Sequence, residues 1–411
     1  MNISKLMNRN FTLMIIGQII SLFGNAILRF SLSLYVLDTT GSATAFGSIL
    51  ALSLIPTILV SPIGGMIADR ISRRHIMLTL DFLTSFLIFG FSFLIDTNTS
   101  VVVIGIVMIL LSLIQSFYQP SVQSSIPLLA SDENLMKANG IVVQVNALAN
   151  LLGPILGSIL YTMISFHWLL WISGSAFFIS AILECIMQIP YIKATSSMNM
   201  LETARHDIKE GMQFIFRENP VLWKLLLVLA ALNLVLSSLL TVGLPVISNI
   251  TLALPAQYYG WLQAGMGIGT IIGSLLIPLF SKRFDIHNSH IFLILASFCL
   301  IPISLALLLP VTRYTSYFII LAASIIATAF ATVFNIYTQT LLQQATPNHL
   351  LGKVSSFVTM IVMCSYPIGQ SLYGILFEVF STQLPIIIAI ALVLSLLISM
   401  SARKSLRAIA K

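Results

Sequence analysis

Long apolar runs, each closed by charged or turn-forming residues, dominate the chain. They fall at about 11–37, 43–67, 76–95, 100–120, 137–164 and 167–190, and after a polar stretch at about 221–249, 257–280, 288–310, 316–343, 350–377 and 383–402. Each is long enough for a helix to cross a bilayer of ~30 Å apolar thickness, some with tilt. Backbone groups in hydrocarbon must pair within their own segment, so runs of this kind predict helices. The pattern therefore predicts an all-α integral membrane protein with about twelve transmembrane helices. The first run is too long for the core of a cleavable signal peptide and has no small-residue cleavage site after it, so it reads as a span.

The polar positions inside these runs are periodic. The first run carries Gln18, Ser21, Asn25, Arg29 and Ser33, and the fourth Ser112, Gln115, Gln119 and Gln123. Asn233, Ser237 and Thr241 recur along the seventh, and Thr328, Thr332, Asn335, Gln339 and Gln343 along the tenth. Steps of three and four place each set on one helix face. Polar groups in hydrocarbon face partners or water, so these four faces are expected around a central cavity, with Phe23, Phe30, Phe117, Tyr118, Phe330, Phe334 and Tyr337 beside them. Interhelical hydrogen bonding is the alternative role for any one of these residues. A wet cavity with aromatic walls suits an amphiphilic organic molecule better than a bare ion.

The two halves repeat. Offset by 213 positions, Gly47 corresponds to Gly260, Arg70 to Arg283 and Pro154 to Pro367. This predicts a six-helix bundle over 1–190, a linker over 191–220 and a second six-helix bundle over 221–411, an arrangement found in transporters. Within the linker, Ile208, Met212 and Ile215 recur at helical spacing against Lys209, Glu210 and Gln213. They predict a short amphipathic helix at the membrane interface, with a solvated tether as the alternative.

Composition strengthens this picture. The chain is 58% hydrophobic and 8% charged, against roughly 25% charged in soluble domains. Net charge is +7, yet of the 20 Lys and Arg residues only Arg29 and Arg313 leave one side of the predicted topology. That asymmetry places both termini in the cytoplasm and replaces a nucleic-acid footprint as the reason for the basic balance. Cys185, Cys299 and Cys364 sit in apolar runs without metal-ligand spacing and read as packing residues. The chain shows no catalytic triad and no metal cluster, and its Gly352-Lys353 pair lacks a P-loop, so neither an enzyme nor an ATP-driven pump is expected.

Several motifs narrow the class. Gly65-Met-Ile-Ala-Asp69-Arg70-Ile-Ser72-Arg73-Arg74 resembles the loop signature of the major facilitator superfamily, with Ser72 where glycine is usual. A glycine permits close helix approach, and a carboxylate can clasp a helix N-terminus or an arginine. Gly65, Asp69, Arg70, Arg73 and Arg74, with Asp81 paired to the arginine cluster, are therefore expected to form a conformational switch. A structural ion pair is the alternative reading of Asp81.

Gly140, Ala149, Gly153, Pro154, Gly157 and Ser158 resemble the antiporter motif of exporters in that superfamily, with Ala149 and Ser158 replacing glycines. The segments 120–129, 135–140 and 207–220 are similar to the macrolide-efflux (Mef-type) branch of its drug:proton antiporters. The resemblance covers essentially the whole chain. It implies two pseudo-symmetric six-helix bundles, and a single-chain, monomeric exporter in the bacterial cell membrane. It also implies a small-molecule substrate, coupling to protons, contact with membrane lipids, no cofactor and no nucleic acid. Export of a lipid or siderophore, import, and a non-transporting receptor remain alternatives.

One departure matters: relatives of the branch often carry an acid after a glycine in the first span, where this chain has Gly24-Asn25. Coupling must then use other groups. The membrane-adjacent acids are Asp38, Asp81, Glu184 and Glu378, with Glu184 expected to snorkel from the end of the sixth span. Arg29 is the one charge well inside a span and marks a functional site. It predicts a neutral, zwitterionic or anionic amphiphile as cargo. The expected cavity residues are Gln18, Asn25, Arg29, Gln115, Gln119, Asn233, Thr241, Asn335 and Gln339.

Overall fold

The computed structural model describes residues 8–95, 100–131, 134–190, 209–280, 288–347 and 350–409. Among these, twelve helices are long and apolar enough to cross a membrane. They are α1 (Arg9–Thr40), α2 (Ala43–Arg70), α3 (Arg73–Leu94), α4 (Val101–Leu129), α5 (Leu135–Met163), α6 (Phe166–Ile186), α7 (Leu222–Thr251), α8 (Ala256–Phe280), α9 (His290–Leu308), α10 (Arg313–Gln344), α11 (Leu351–Val379) and α12 (Leu384–Ile409). Large apolar side chains such as Leu59, Phe86, Phe93 and Leu275 stand on the outside. A water-soluble fold would bury them, and a lipid-embedded one need not.

Local chemistry sets the helix ends. The α1–α2 connection is two residues long, and Gly41 takes a left-handed φ of 61° there, a conformation that costs glycine nothing. Ser100 caps α4 by accepting from the Val102 amide, and Thr312 caps α10 by accepting from the Thr315 amide. The fourth run extends past its expected end at 120. Pro120 and Pro127 lie inside α4, which continues to Leu129. Bundle packing holds the chain helical through both prolines. The ninth run is interrupted at Cys299, between His290–Phe298 and Leu300–Leu308. Pro302 lacks the N–H that would bond back to Phe298, which accounts for the break.

Two compact units emerge. One comprises residues 1–36 with 52–200, the other 37–51 with 201–411. This differs from the 1–190 and 221–411 division at the α1–α2 corner. Corner residue Gly47 lies so near α11 that an added Cβ would stand 2.5 Å from the Gln370 carbonyl. The Glu378 carboxylate of α11 accepts from the Ser42 hydroxyl and from the Thr44 amide at 2.8 Å.

The units repeat their internal pairings. In the first, α3 packs on α6 and α4; in the second, α9 packs on α12 and α10. Pro154 lies inside α5 and Pro367 inside α11, as the repeat offset requires.

The linker helix does not lie free on a lipid surface. Residues 209–218 are helical, ending in a wider π turn over Phe214–Glu218. Phe214 and Ile215 bury against Leu222, Leu226, Leu350, Val354 and Phe357. Glu210 pairs with Lys353 at 2.6 Å, and Gly211 abuts the Lys353 carbonyl. Packing within the second unit supplies an apolar partner that the sequence pattern had assigned to the membrane. Asp207 and Ile208 lie outside the described residues.

Candidate functional site

The polar stripes of α7 and α10 meet at a cavity of about 530 Å³ inside the second unit. Its polar lining includes Asn233 and Ser237 from α7, Thr328, Thr332, Asn335 and Gln339 from α10, Thr270 from α8, and Ser355, Thr359 and Tyr366 from α11. Leu229, Leu232 and Leu236 of α7 and Val358, Val362 and Met363 of α11 add apolar lining. Thr241, expected to line a cavity, does not line this one; its hydroxyl bonds to the Ser237 carbonyl at 2.8 Å.

A local irregularity shapes this lining. Asn233–Ser237 form a π turn in α7. The Ser238 hydroxyl donates to the Asn233 carbonyl five residues back at 2.8 Å, and the Ser237 hydroxyl donates to the Asn233 side-chain oxygen at 3.0 Å. Gly369 of α11 packs tightly here, its missing Cβ lying 2.3 Å from the Ser238 hydroxyl. Such bulges turn side chains out of helical register and recur at functional sites. Apolar periodicity carries no signal for them.

Glycines position α8 and α10 around the cavity. Gly265, Gly269 and Gly273 present one bare face of α8, and a Cβ on Gly269 would stand 2.1 Å from the Thr328 hydroxyl and 2.3 Å from the Ile325 carbonyl. The sequence reading did not single out this triplet, although its four-residue spacing is a recognisable close-packing signal.

In the first unit, Arg29 is half-buried. Its Nε donates to Asn25 Oδ1 at 3.1 Å and a terminal nitrogen donates to Ser112 Oγ at 2.7 Å. The α1 and α4 stripes therefore join here. No carboxylate pairs with Arg29 among the described residues, so three of its five N–H donors remain for other groups. Gln115 and Gln119 lie half-buried on α4. Gln18 departs from expectation: it is fully buried, and neither amide atom has a partner. At its depth α6 closes over α1, with Gly17 against Ser180 and Glu184.

The antiporter-motif glycines are not equivalent. A Cβ on Gly153 would stand 2.4 Å from Ala26 Cβ, and one on Gly157 would meet Phe30 and Ile27. Those two therefore seat α5 on the turns of α1 that carry Asn25 and Arg29, with Pro154 between them. Gly140 has open space around it and approaches nothing.

The switch residues need correction. Asp81 is buried and accepts from the Ser21 hydroxyl at 2.6 Å. It does not pair with Arg73 or Arg74. Arg74 binds the carbonyls of Glu184 and Cys185, and Arg73 donates to Ser124 Oγ at 3.2 Å. Asp81 sits eight positions into α3, about 12 Å along the helix from its start, too deep for those side chains, which fold back to the bundle end. The side chains of Gly65, Asp69 and Arg70 lie outside the described ones. Glu184 does not snorkel: it is buried and accepts from the Tyr118 hydroxyl at 2.9 Å.

Comparison with known proteins fits this architecture. The chain is 26% identical over 359 residues to macrolide efflux protein A of Streptococcus pyogenes, covering 86% of this chain and 85% of that one. It is 25% identical over 335 residues to macrolide efflux protein A of Enterococcus faecalis, covering 80% and 99%. The multidrug efflux pump Tap of Mycolicibacterium fortuitum is 20% identical, covering 85% of each. Among solved structures, a bacterial homologue of the iron transporter ferroportin in its inward-facing state superposes with a TM-score of 0.75 at 16% identity, covering 97% of this chain and 98% of that one. A nucleoside transporter superposes with a TM-score of 0.70 at 15% identity, covering 98% and 100%. The sequence profile of the Major Facilitator Superfamily matches residues 14–369. With twelve apolar helices among the described residues and that match over most of its length, the chain belongs to the Major Facilitator Superfamily: it is a multi-pass membrane protein of a transporter family, and not an enzyme.

Proposed function

We propose that this protein exports an amphiphilic small molecule of macrolide-like character by alternating access, driven by the proton motive force, with both termini in the cytoplasm. The observation that carries the reading is the cavity of about 530 Å³ in the second unit, lined by hydroxyls and amides together with aliphatic side chains. Its size is that of a site for a drug-sized molecule, and its mixed polar and apolar lining suits an amphiphile. Relatives named for macrolide and multidrug efflux point the same way. Arg29 refines the class. Its hydrogen bonds go to neutral groups alone, so a strongly cationic cargo meets an uncompensated positive charge. A neutral, zwitterionic or anionic amphiphile does not. The spare N–H donors also favour a second cargo class, an anionic lipid or a carboxylate-bearing chelator.

The test is accumulation of erythromycin, chloramphenicol and carboxyfluorescein in a sensitive host, with and without the protein. Lower accumulation of at least one probe, restored by an uncoupler, is expected, and an effect confined to erythromycin, whose amine is protonated at neutral pH, overturns the charge restriction drawn from Arg29. Equal accumulation of all three, or reduction that persists with the uncoupler, overturns the proposal.

A further inference from the structure

Within the first unit, away from the Arg29 contacts, four helices close around a small polar centre. Asp81 of α3 and Glu184 of α6 are each 2% exposed, and Gln18 of α1 is 0% exposed. Ser21 donates to Asp81 Oδ2 at 2.6 Å and lies 2.8 Å from the Ser180 hydroxyl, which in turn reaches the Gly17 carbonyl at 3.1 Å. Tyr118 of α4 donates to Glu184 Oε1 at 2.9 Å. The other carboxylate oxygen of Glu184 is buried without a partner, as are both amide atoms of Gln18. Gln18 lies on the α1 flank between Gly17, which faces Ser180 and Glu184, and Met14 and Leu22, which pack in one cluster with Tyr118.

The electrostatics do not balance as the centre stands. Asp81 and Glu184 lie within electrostatic reach of one another and of Tyr118. The surrounding titratable groups are few. From α3 comes Arg74, whose guanidinium binds the backbone carbonyls of Glu184 and Cys185 and forms no ion pair with either carboxylate among the described residues. From α4 comes Tyr118, from α6 Cys185, and α1 presents only Gln18 and Ser21. Neither acid has an ion-pair partner among the described residues. Two buried carboxylates without a cation are costly, and an unpartnered buried oxygen adds to that cost. A group that brings one positive charge and little volume resolves both. A proton is the smallest such cation, and a carboxylate oxygen takes it up without a cage of ligands.

We propose that Asp81 and Glu184 form the proton-coupling site, holding one exchangeable proton in a centre built by Ser21, Tyr118, Ser180 and Gln18. On loading, a proton from water forms an O–H bond at a carboxylate oxygen and the pair falls from two negative charges to one. On release that bond breaks, the proton returns to water on the other side and the second charge reappears. The charge change acts where α1, α3, α4 and α6 meet, and α1 carries Asn25 and Arg29 one to two turns further along. This assignment rests on the export reading above. It also supplies the coupling group that Asn25, standing where branch relatives often carry an acid, cannot.

The experiment has two arms, so that its failure and the failure of the export reading can be told apart. In the first, the purified full-length protein in nanodiscs is titrated from acid to alkaline pH without substrate, and the infrared carboxylic-acid stretch is followed. A titrating band is expected in the wild type and in an Arg29→Gln control, and its loss in both Asp81→Asn and Glu184→Gln. The same band in both variants as in the wild type overturns the site whatever the protein exports. In the second arm, erythromycin and chloramphenicol are followed in proteoliposomes, comparing pH-driven uphill efflux with exchange at equal pH. Uphill efflux reduced at least tenfold with exchange retained supports coupling. Loss of both, or loss of neither, overturns it.

Discussion

Gln18 buries its whole side chain with neither amide atom bonded. An unsatisfied buried polar group costs about 1–3 kcal/mol. A residue kept for stability alone would be apolar, so Gln18→Met, which keeps the volume, is expected to raise the thermal midpoint while lowering transport. A thermal-shift series beside an efflux assay checks this; a lower midpoint would show that the amide stabilises the fold. Arg29 poses the opposite case. Its charge is held by Asn25 and Ser112 alone, and Arg29→Gln removes the charge while keeping hydrogen-bonding capacity. Export is expected to fall with membrane expression unchanged, read by immunoblot and probe accumulation together. Wild-type resistance in that variant would remove Arg29 from the transport path.

Helix-level packing turns on bare glycine faces, and these differ in what they meet. A methyl group on Gly269 would collide with the Thr328 hydroxyl and the Ile325 carbonyl, whereas Gly140 faces open space. Overpacking costs about 1–3 kcal/mol, and alanine in place of an unconstrained helical glycine gains about 0.5–1 kcal/mol. Gly269→Ala is therefore expected to lower the thermal midpoint and Gly140→Ala to leave it unchanged or raise it, although only Gly140 belongs to the sequence motif. The helices themselves were legible. Ten of the twelve apolar runs match helices within a few residues, because hydrocarbon thickness and backbone pairing leave few choices, and the twelfth helix runs on past its predicted end at 402 to Ile409. The fourth runs on past two prolines, and apolar periodicity alone does not report that. The π turn at Asn233–Ser237 was not legible: apolar periodicity carries no signal for it, and the Gly369 contact beside it joins residues far apart in the chain. The meeting of Asp81 and Glu184 was hidden for the same reason: each acid was visible as a polar residue near a span, but only the packing of α3 on α6 makes them one site. The Gly265, Gly269 and Gly273 spacing was there to be read.

Across the whole chain the basic residues follow the helix order. Arg9 and Arg73 open α1 and α3, Lys137 lies in the first turn of α5, and Lys353 in the first turn of α11. Arg313 alone opens an even-numbered helix, α10, where it donates to the Ala253 carbonyl and stacks 5.1 Å above the Tyr314 ring. A cation costs about 2.3 kcal/mol to carry outward against 100 mV, so the side holding nearly every Lys and Arg is expected to be the cytoplasm. In a variant with Cys185, Cys299 and Cys364 replaced by serine, single cysteines at positions 137 and 313 report this directly. A membrane-impermeant maleimide added to intact cells is expected to label Arg313→Cys and spare Lys137→Cys until the cells are opened. The reverse pattern would invert the topology, and with it the sense in which a proton held at Asp81 and Glu184 drives the cycle. Labelling of both from outside would break the even alternation of helices on which the two-bundle repeat depends.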